Sequence, residues 1–183
     1  MDGPERWLAV HSNWRTGWSV IILLSLAASA PAWSASPDLD RFRFYNNCEP
    51  VGVLVETLPE AADDLELTHK KIRDLVEVRL RSARLYKGPR DTLGPYLYVR
   101  INVLEPRPGL KSSSFNVEVS FAKVVEDTVT GYRTTAATWT DGALGYGDGD
   151  FIRSAVSDEL DKFILSYLRV NERACDPAPH RTQ

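Results

Sequence analysis

Apolar residues recur with the spacing of an α-helix near the end of the chain, over residues 151–170. Steps of three or four positions separate the members of this stripe, which are Ile152, Val156, Leu160, Phe163 and Tyr167. Further apolar neighbours broaden the stripe, so the pattern predicts an amphipathic helix with a wide buried face. Asp150 stands where an N-cap residue belongs, and we expect its carboxylate to accept a hydrogen bond from a backbone N–H group of the first helical turn.

A second helical pattern runs from Thr68, a suitable N-cap, to about Arg84. Its apolar stripe is Ile72, Leu75, Val76, Leu80 and Ala83. The pair Gly88-Pro89 is a strong helix breaker, and we expect the helix to have ended there.

Alternation of apolar and polar residues predicts strands over residues 51–58, 96–104 and 114–126, and a run rich in Thr and Ala, with Trp139 near its end, predicts a fourth over residues 132–141. On the second of these, the odd-numbered positions from Leu97 to Val103 are apolar. Its opposite face should therefore carry Tyr96, Tyr98, Arg100 and Asn102. The next strand adds Asn116, Glu118 and Ser120 to that face if its apolar side also points inward.

The predicted order is β-α-β-β-β-α, which is typical of the α+β class. We expect a two-layer sandwich, with two helices on one face of a mostly antiparallel four-stranded sheet. The first two strands should be parallel if they share the sheet, and the last three should form an antiparallel meander. Residues 48–175 would form the domain, residues 34–47 a leader or linker, and residues 176–183 a disordered tail.

Residues 1–33 have the organisation of a secretory signal peptide. Arg6 and Arg15 precede a short uncharged apolar run over residues 18–28, and small residues follow it. Cleavage is expected between Ala32 and Ser34, and the run is too short for a comfortable bilayer span. The sequence thus predicts a periplasmic or secreted protein.

The two cysteines, Cys48 and Cys175, lie near the two ends of the predicted domain. In an exported chain such a pair indicates a disulfide, although two free buried thiols would be the alternative. A cysteine nucleophile is disfavoured, because a reactive thiol needs a base beside it.

The net charge of −3 argues against a nucleic-acid partner, since such proteins are usually basic. Beyond the signal, histidine occurs only at His69 and His180. We therefore expect no catalytic triad, no metal centre and no cofactor.

The glycine-rich segment 142–150 raises two further possibilities. A phosphate cradle is disfavoured because Asp148 and Asp150 would repel the anion. Calcium could use Asp141, Asp148 and Asp150, but the spacing is not that of an EF-hand loop. A capped, flexible turn is the expected structure.

The first predicted helix is rich in cations, namely Lys70, Lys71, Arg73, Arg79, Arg81 and Arg84. A solvated face is the default interpretation. Peripheral contact with an anionic membrane surface is the alternative.

The chain also resembles a family of small exported bacterial proteins without an assigned activity. The similarity rests on a strand ending A-A-T-W-T-D-G-A-L-G, a glycine-rich turn, and a helix ending F-I-L-S-Y-L-R-V-N. The resemblance implies the same order of elements and brings no catalytic residues.

Together these observations predict a non-catalytic binding or structural module of the cell envelope, with an envelope protein or a glycan as partner. The candidate binding residues share the polar sheet face and are Tyr96, Tyr98, Arg100, Asn102 and Glu118. Tyrosine beside arginine offers flat rings and planar donors that lose little conformational entropy on binding. The alternative is a carboxylate-dependent hydrolase acting on envelope polymers, whose acids would need a defined separation. The oligomeric state does not follow from the sequence.

Overall fold

A computed structural model describes residues 37–90, 94–105 and 109–175 of the chain. The predicted signal peptide, residues 1–33, and the predicted disordered tail, residues 176–183, lie outside the described residues. The described residues form an α+β structure with one mixed sheet and helices packed on it.

The elements follow in the order α1 (Pro37–Phe44), β1 (Val51–Val55), a 3₁₀ helix (Glu60–Leu65), α2 (His69–Ser82), β2 (Tyr86–Pro89), β3 (Tyr96–Val103), β4 (Ser113–Glu126), β5 (Arg133–Gly147) and α3 (Gly149–Cys175). The sheet order is β2-β1-β3-β4-β5. β1 pairs in parallel with β2 and with β3, whereas β3-β4 and β4-β5 are antiparallel. The expected parallel first pair and antiparallel meander are both present.

The sheet has five strands rather than the four that we predicted, and only half of its pairings are antiparallel. The additional strand is β2, which contains Gly88 and Pro89. These residues have the pattern of a helix stop, but α2 already ends at Ser82 and Arg84 adopts a left-handed φ of 59°. Proline lacks a backbone donor and is tolerated at a sheet edge, which is where β2 lies.

The core lies between the sheet and the helices. β3 and β4 supply alternate buried side chains, and α2 and α3 supply the stripes expected from their periodicity. Thr68 caps α2 by accepting from the Lys71 N–H at 3.2 Å, as its sequence position predicts.

α1 lies in the segment that we expected to be a leader. Its last residue, Phe44, is 2% exposed and packs against the rings of Trp139 at 5.5 Å and Phe163 at 6.3 Å. The segment is polar apart from a few aromatic residues, so it shows no period that would predict a helix. Burial of this single ring nevertheless attaches it to the core.

Asn171 and Tyr167 of α3 hold the turn that follows α1. The buried Asn171 side chain accepts from the N–H groups of Asn46, at 2.9 Å, and Cys48, at 3.2 Å, and donates to the Phe44 carbonyl at 2.9 Å. The Tyr167 hydroxyl donates to the Glu49 carbonyl at 2.7 Å. We call Tyr167 and Asn171 the α3 latch.

Next to the latch, a disulfide joins Cys48 to Cys175, with 5.1 Å between the Cα atoms. It connects two residues separated by 127 positions. The turn before β1 is thereby fixed to the end of α3 both covalently and by hydrogen bonds.

The segment 142–150 is not the flexible turn that we predicted. β5 continues to Gly147, and α3 begins at Gly149. Two glycines of the strand are required by close packing, because a Cβ on Gly142 would collide with the Val117 carbonyl oxygen and one on Gly145 would lie 2.8 Å from the buried Phe115 ring. The glycines therefore serve a packed strand, not a mobile loop.

The N-cap of α3 also differs from the prediction. Asp148, rather than Asp150, accepts from the Phe151 N–H at 2.9 Å. Asp150 instead lies in the first turn and pairs with Arg153.

Candidate functional site

The side of the sheet facing away from the helices carries the predicted binding residues. We call it the outer face, and it consists of Tyr96, Tyr98, Arg100, Asn102, Asn116, Glu118, Ser120 and Thr140. β3 shows the expected alternation, with its odd-numbered positions buried. The register places Tyr98 opposite Ser120, Arg100 opposite Glu118, and Asn102 opposite Asn116.

Glu56, a residue outside the predicted set, connects two members of this face. Its carboxylate accepts a hydrogen bond from the Tyr98 hydroxyl and forms an ion pair with the Arg100 Nε at 3.4 Å. The hydrogen bond to Glu56 is the main reason that the pKa of Tyr98 is raised above its ordinary value. Glu56 follows the buried Val55, so alternation along the first predicted strand could have placed it on this face.

Tyr96 is held in place by a different charged neighbour, a cation. The Arg90 guanidinium lies over its ring, 4.3 Å from the centroid. Both tyrosines of the outer face are therefore positioned by charged neighbours, Tyr98 by Glu56 and Tyr96 by Arg90.

A shallow hollow of about 300 Å³ adjoins Glu118 on the neighbouring strands. Its lining includes Asn116, Thr140 and Leu144. Gly142 lies directly opposite Glu118 on β5 and has no side chain to cover it. Beside it, the Ser120 and Thr140 hydroxyls form a hydrogen bond of 2.9 Å, so this part of the face is polar.

The cations of α2 lie outside this site and are largely paired. Four of the five have carboxylate partners: Lys70 with Asp74 at 2.5 Å, Arg73 with Glu77 at 3.8 Å, Arg79 with Asp161 at 3.3 Å, and Arg81 with Glu77 at 3.4 Å. The Lys71 ammonium donates to the Glu66 carbonyl at 2.8 Å. These pairs reduce the positive field that an anionic surface would sense.

The three acidic residues considered for calcium are directed to different partners. Asp148 caps α3, Asp150 pairs with Arg153, and Asp141 lies 3.6 Å from the Lys162 ammonium. Within the described residues, no group of three or more potential ligands is arranged to hold a metal ion.

Lys162 also pairs at 2.8 Å with Glu159, which is 2% exposed. One carboxylate oxygen of Glu159 has no hydrogen-bond partner. This cluster lies between α3 and β5 on the helix side of the sheet, away from the outer face.

A larger hollow of about 740 Å³ lies between α1 and the end of α3. The pair of Asp40 and Arg169, 2.7 Å apart, is part of its lining and joins the two helices. It holds none of the residues predicted to bind.

In the described part of the chain, no helix combines the length and apolar character needed to cross a membrane.

Comparisons with known proteins place this chain in no family, since no protein-family model matches it. No curated protein matches it either. Among solved structures, it is similar to the 2.35 Å crystal structure of a minor lipoprotein from Acinetobacter baumannii. That match is 18% identical, covers 68% of this chain and 95% of the other, and has a TM-score of 0.31. A likeness at this level does not establish a common fold.

Proposed function

We propose that this protein is an exported, non-catalytic binding module of the cell envelope, and that the outer face is its ligand surface. Export is supported by the signal-like N-terminal sequence together with the disulfide between Cys48 and Cys175. Disulfides of this structural kind form and persist in oxidising compartments such as the periplasm.

The observation that carries the proposal is the arrangement of Tyr98, Glu56 and Arg100. Glu56 binds both neighbours at once, so the ring and the guanidinium hold their positions before any ligand arrives. Side chains that are already ordered lose less conformational entropy on binding. A partly exposed tyrosine and an exposed arginine held in this way are the residue types that dominate binding energy at many interfaces.

The shape of the outer face favours an extended ligand. Small molecules are usually enclosed in deep, mainly apolar cavities, whereas the hollow beside Glu118 is open and partly polar. Sugar rings have apolar faces that suit tyrosine and hydroxyl groups that can both donate to Glu118 and accept from Arg100. A polysaccharide of the envelope therefore fits the face better than a compact cofactor.

The proposal is tested by replacing two residues of the face together, Tyr98→Ala with Arg100→Ala. We expect the amount of protein captured by insoluble cell-wall glycan of the host to fall at least about tenfold, as for loss of a binding hot spot. The thermal midpoint should change by only a few degrees, because both side chains are partly exposed.

A matched control uses the same residue types at the hairpin between β4 and β5, Tyr132→Ala with Arg133→Ala. Arg133 is the first residue of β5, and Tyr132, just before it, is 69% exposed. Capture should be unchanged in this variant. Equal capture of the wild-type protein and the outer-face variant would refute the proposal, and capture by an envelope protein instead of glycan would reassign the ligand.

The alternative of a carboxylate-dependent hydrolase has one supporting observation. Glu56 and Glu118 both neighbour Arg100, the first through an ion pair and the second directly across the strand pair. If soluble fragments are released from the glycan and Glu118→Gln stops that release without reducing capture, the hydrolase is favoured. Capture without release favours the binding module.

A further inference from the structure

The two edges of the sheet are protected very differently. β2, at one edge, has only four residues and ends in Pro89. β5, at the other, has fifteen residues and pairs on one side with β4. Within the described residues no strand pairs with its other side. A long unpaired edge is a template for adding another strand, and natural proteins normally shorten, charge or cover it.

α1 covers one part of the β5 edge. The Thr138 hydroxyl donates to the Arg43 carbonyl at 2.7 Å, so the end of α1 lies against the strand there. The cover applies to the region of Thr138. Within the described residues the edge has no strand partner on either side of it, over residues 133–137 and 141–147, and only the second stretch carries large exposed apolar side chains. We call residues 141–147 the open edge.

The open edge is apolar where edge strands usually carry charge. Leu144 is 84% exposed and Tyr146 is 60% exposed, and both project from the outer side of β5. Phe151, just beyond the strand, is 55% exposed. The one charged residue of the open edge, Asp141, is paired with Lys162. Solvent exposure of this kind indicates an interaction surface.

Tyr146 extends the apolar surface toward the ends of β3 and β4. A hollow of about 420 Å³ is lined there by Tyr146, Leu104 and Leu110. Leu104 is 67% exposed and Leu110 is 48% exposed. The patch is therefore larger than two isolated side chains.

We propose that two copies of this chain associate through antiparallel pairing of their open edges, about a two-fold axis at Leu144. With that axis Leu144 lies opposite its own copy, and Tyr146 lies opposite Gly142 of the other copy. Gly142 has no side chain, so the tyrosine ring can lie over the partner's backbone. Aromatic residues opposite strand glycines are a known means of stabilising such pairs.

The charges fit the same register. Asp141 lies opposite Gly147 of the other copy, so no like charges face each other across the pair. The segment is thus complementary to itself when it is reversed, which is what a two-fold interface requires. This self-complementarity favours a second copy over an unrelated strand as the occupant.

Association through this edge would extend the sheet from five strands to ten. The outer faces of the two copies would then be continuous on one side of the joined sheet. If the outer face binds a repeating polymer, two copies held side by side would bind it with avidity. The proposed pairing is argued from the open edge alone and does not depend on the proposed ligand.

The first test measures the mass of the exported protein by sedimentation over a series of concentrations. We expect a dimer, and we expect Leu144→Lys to shift it to monomer, because two lysines would face each other at the axis. The matched control is Leu165→Lys, which changes a residue 71% exposed on the solvent side of α3. The control should remain a dimer.

The second test does not depend on disruption and also checks the register. Leu144→Cys places two thiols opposite each other at the axis, within reach of a disulfide. Tyr146→Cys places them four positions out of register, too far apart to bridge. We expect oxidation to link two copies of the first variant and not of the second.

A monomeric wild-type protein, together with a Leu144→Cys variant that oxidation does not link, would overturn the proposal. So would equal linking of both cysteine variants, because that indicates random collision. The proposal would also be overturned if the protein were a monomer and its β5 amides became protected from hydrogen exchange only after envelope extract was added. That result would indicate that the open edge pairs with a strand of another protein.

Discussion

At the scale of single residues, the α3 latch shows how two polar side chains can fix a turn. Asn171 is 1% exposed and satisfies backbone groups on both sides of Asn46. Buried backbone groups that lose their partners are costly because no water replaces the bond. The sequence identified Tyr167 as a core residue but gave no reason to select Asn171, since its partners are 123 to 127 positions away.

Replacement of Asn171 by alanine should therefore destabilise the protein by roughly 2–4 kcal/mol, because several buried backbone groups lose a partner at once. The free energy of unfolding from urea titration measures this loss. Asn116→Ala is the control, since Asn116 is exposed, and it should change stability by less than about 0.5 kcal/mol. Equal effects of the two substitutions would show that the latch does not hold the turn.

Tyr167 provides a prediction about pH. Burial raises its pKa from 10.0 to about 12. Above pH 10 the unfolded chain loses this proton while the native chain keeps it, so the contribution is complete below pH 10 and is lost as the pH rises toward 12. The loss from this one group should be roughly 2–3 kcal/mol.

The measurement is the free energy of unfolding at a series of pH values for the wild type and Tyr167→Phe. The variant lacks the hydroxyl that donates to the Glu49 carbonyl, so its free energy of unfolding should be about 1 kcal/mol lower below pH 10. Above pH 10 its free energy of unfolding should fall less steeply than that of the wild type. Tyr132→Phe, at an exposed position, should retain the wild-type slope. Identical slopes for wild type and Tyr167→Phe would contradict the assignment.

At the scale of elements, periodicity predicted α2, α3 and the faces of β3 and β4. It succeeded there because each element has one clearly apolar side, as in the alternation from Tyr96 to Val103. β2 escaped prediction because Gly88 and Pro89 resemble a helix stop, and the end of β5 escaped because its glycines resemble a turn. In both cases sheet pairing overrode local preference.

The outer-face side chains were predictable for the same reason, because alternation fixes which residues share a side. Alternation could also have placed Glu56 on this face, but its contacts with Tyr98 and Arg100 were not predictable, since they depend on the parallel pairing of β1 with β3. That pairing joins segments more than forty residues apart, with Gly52 opposite Tyr96. Local patterns predict faces well, but they do not predict which neighbours meet across strands.

The glycines at the end of β5 and the start of α3, Gly147 and Gly149, give a prediction for these elements. A Cβ on Gly149 would collide with the backbone carbonyl of Leu65, which cannot move easily. A Cβ on Gly147 would meet the Phe151 side chain, which is 55% exposed and can rotate away. Gly149→Ala should destabilise the protein by about 2–3 kcal/mol, and Gly147→Ala by less than about 1 kcal/mol.

Thermal unfolding of the two variants measures the difference, since both introduce one methyl group at positions two residues apart. The Gly149→Ala variant should have the lower midpoint. The reverse order would show that the start of α3 does not pack against Leu65 as described.

At the scale of the whole molecule, the disulfide closes nearly the entire domain. Its two cysteines are 127 positions apart and fix the turn before β1 to the end of α3. Cross-linking a loop of this length restricts the unfolded chain strongly, although part of the stabilisation has also been attributed to enthalpy.

Replacing both cysteines by alanine should lower the free energy of unfolding by roughly 2–5 kcal/mol, measured by urea unfolding of the protein purified with its disulfide formed. Reduction of the wild type should give a similar loss, and the double variant should not respond to reductant. A wild type whose stability is unaffected by reductant would contradict the structural role of the bond.

The central claim is that the outer face binds an envelope glycan, and the most direct test is to locate the ligand on the protein. Amide NMR spectra recorded with soluble glycan fragments from the host cell wall should show shifts at Glu56, along residues 96–102 and along residues 116–120. The amides of α2 and of the solvent side of α3 should remain unchanged. Shifts confined to α2, with none on the outer face, would contradict the account and favour its cationic surface as the binding site.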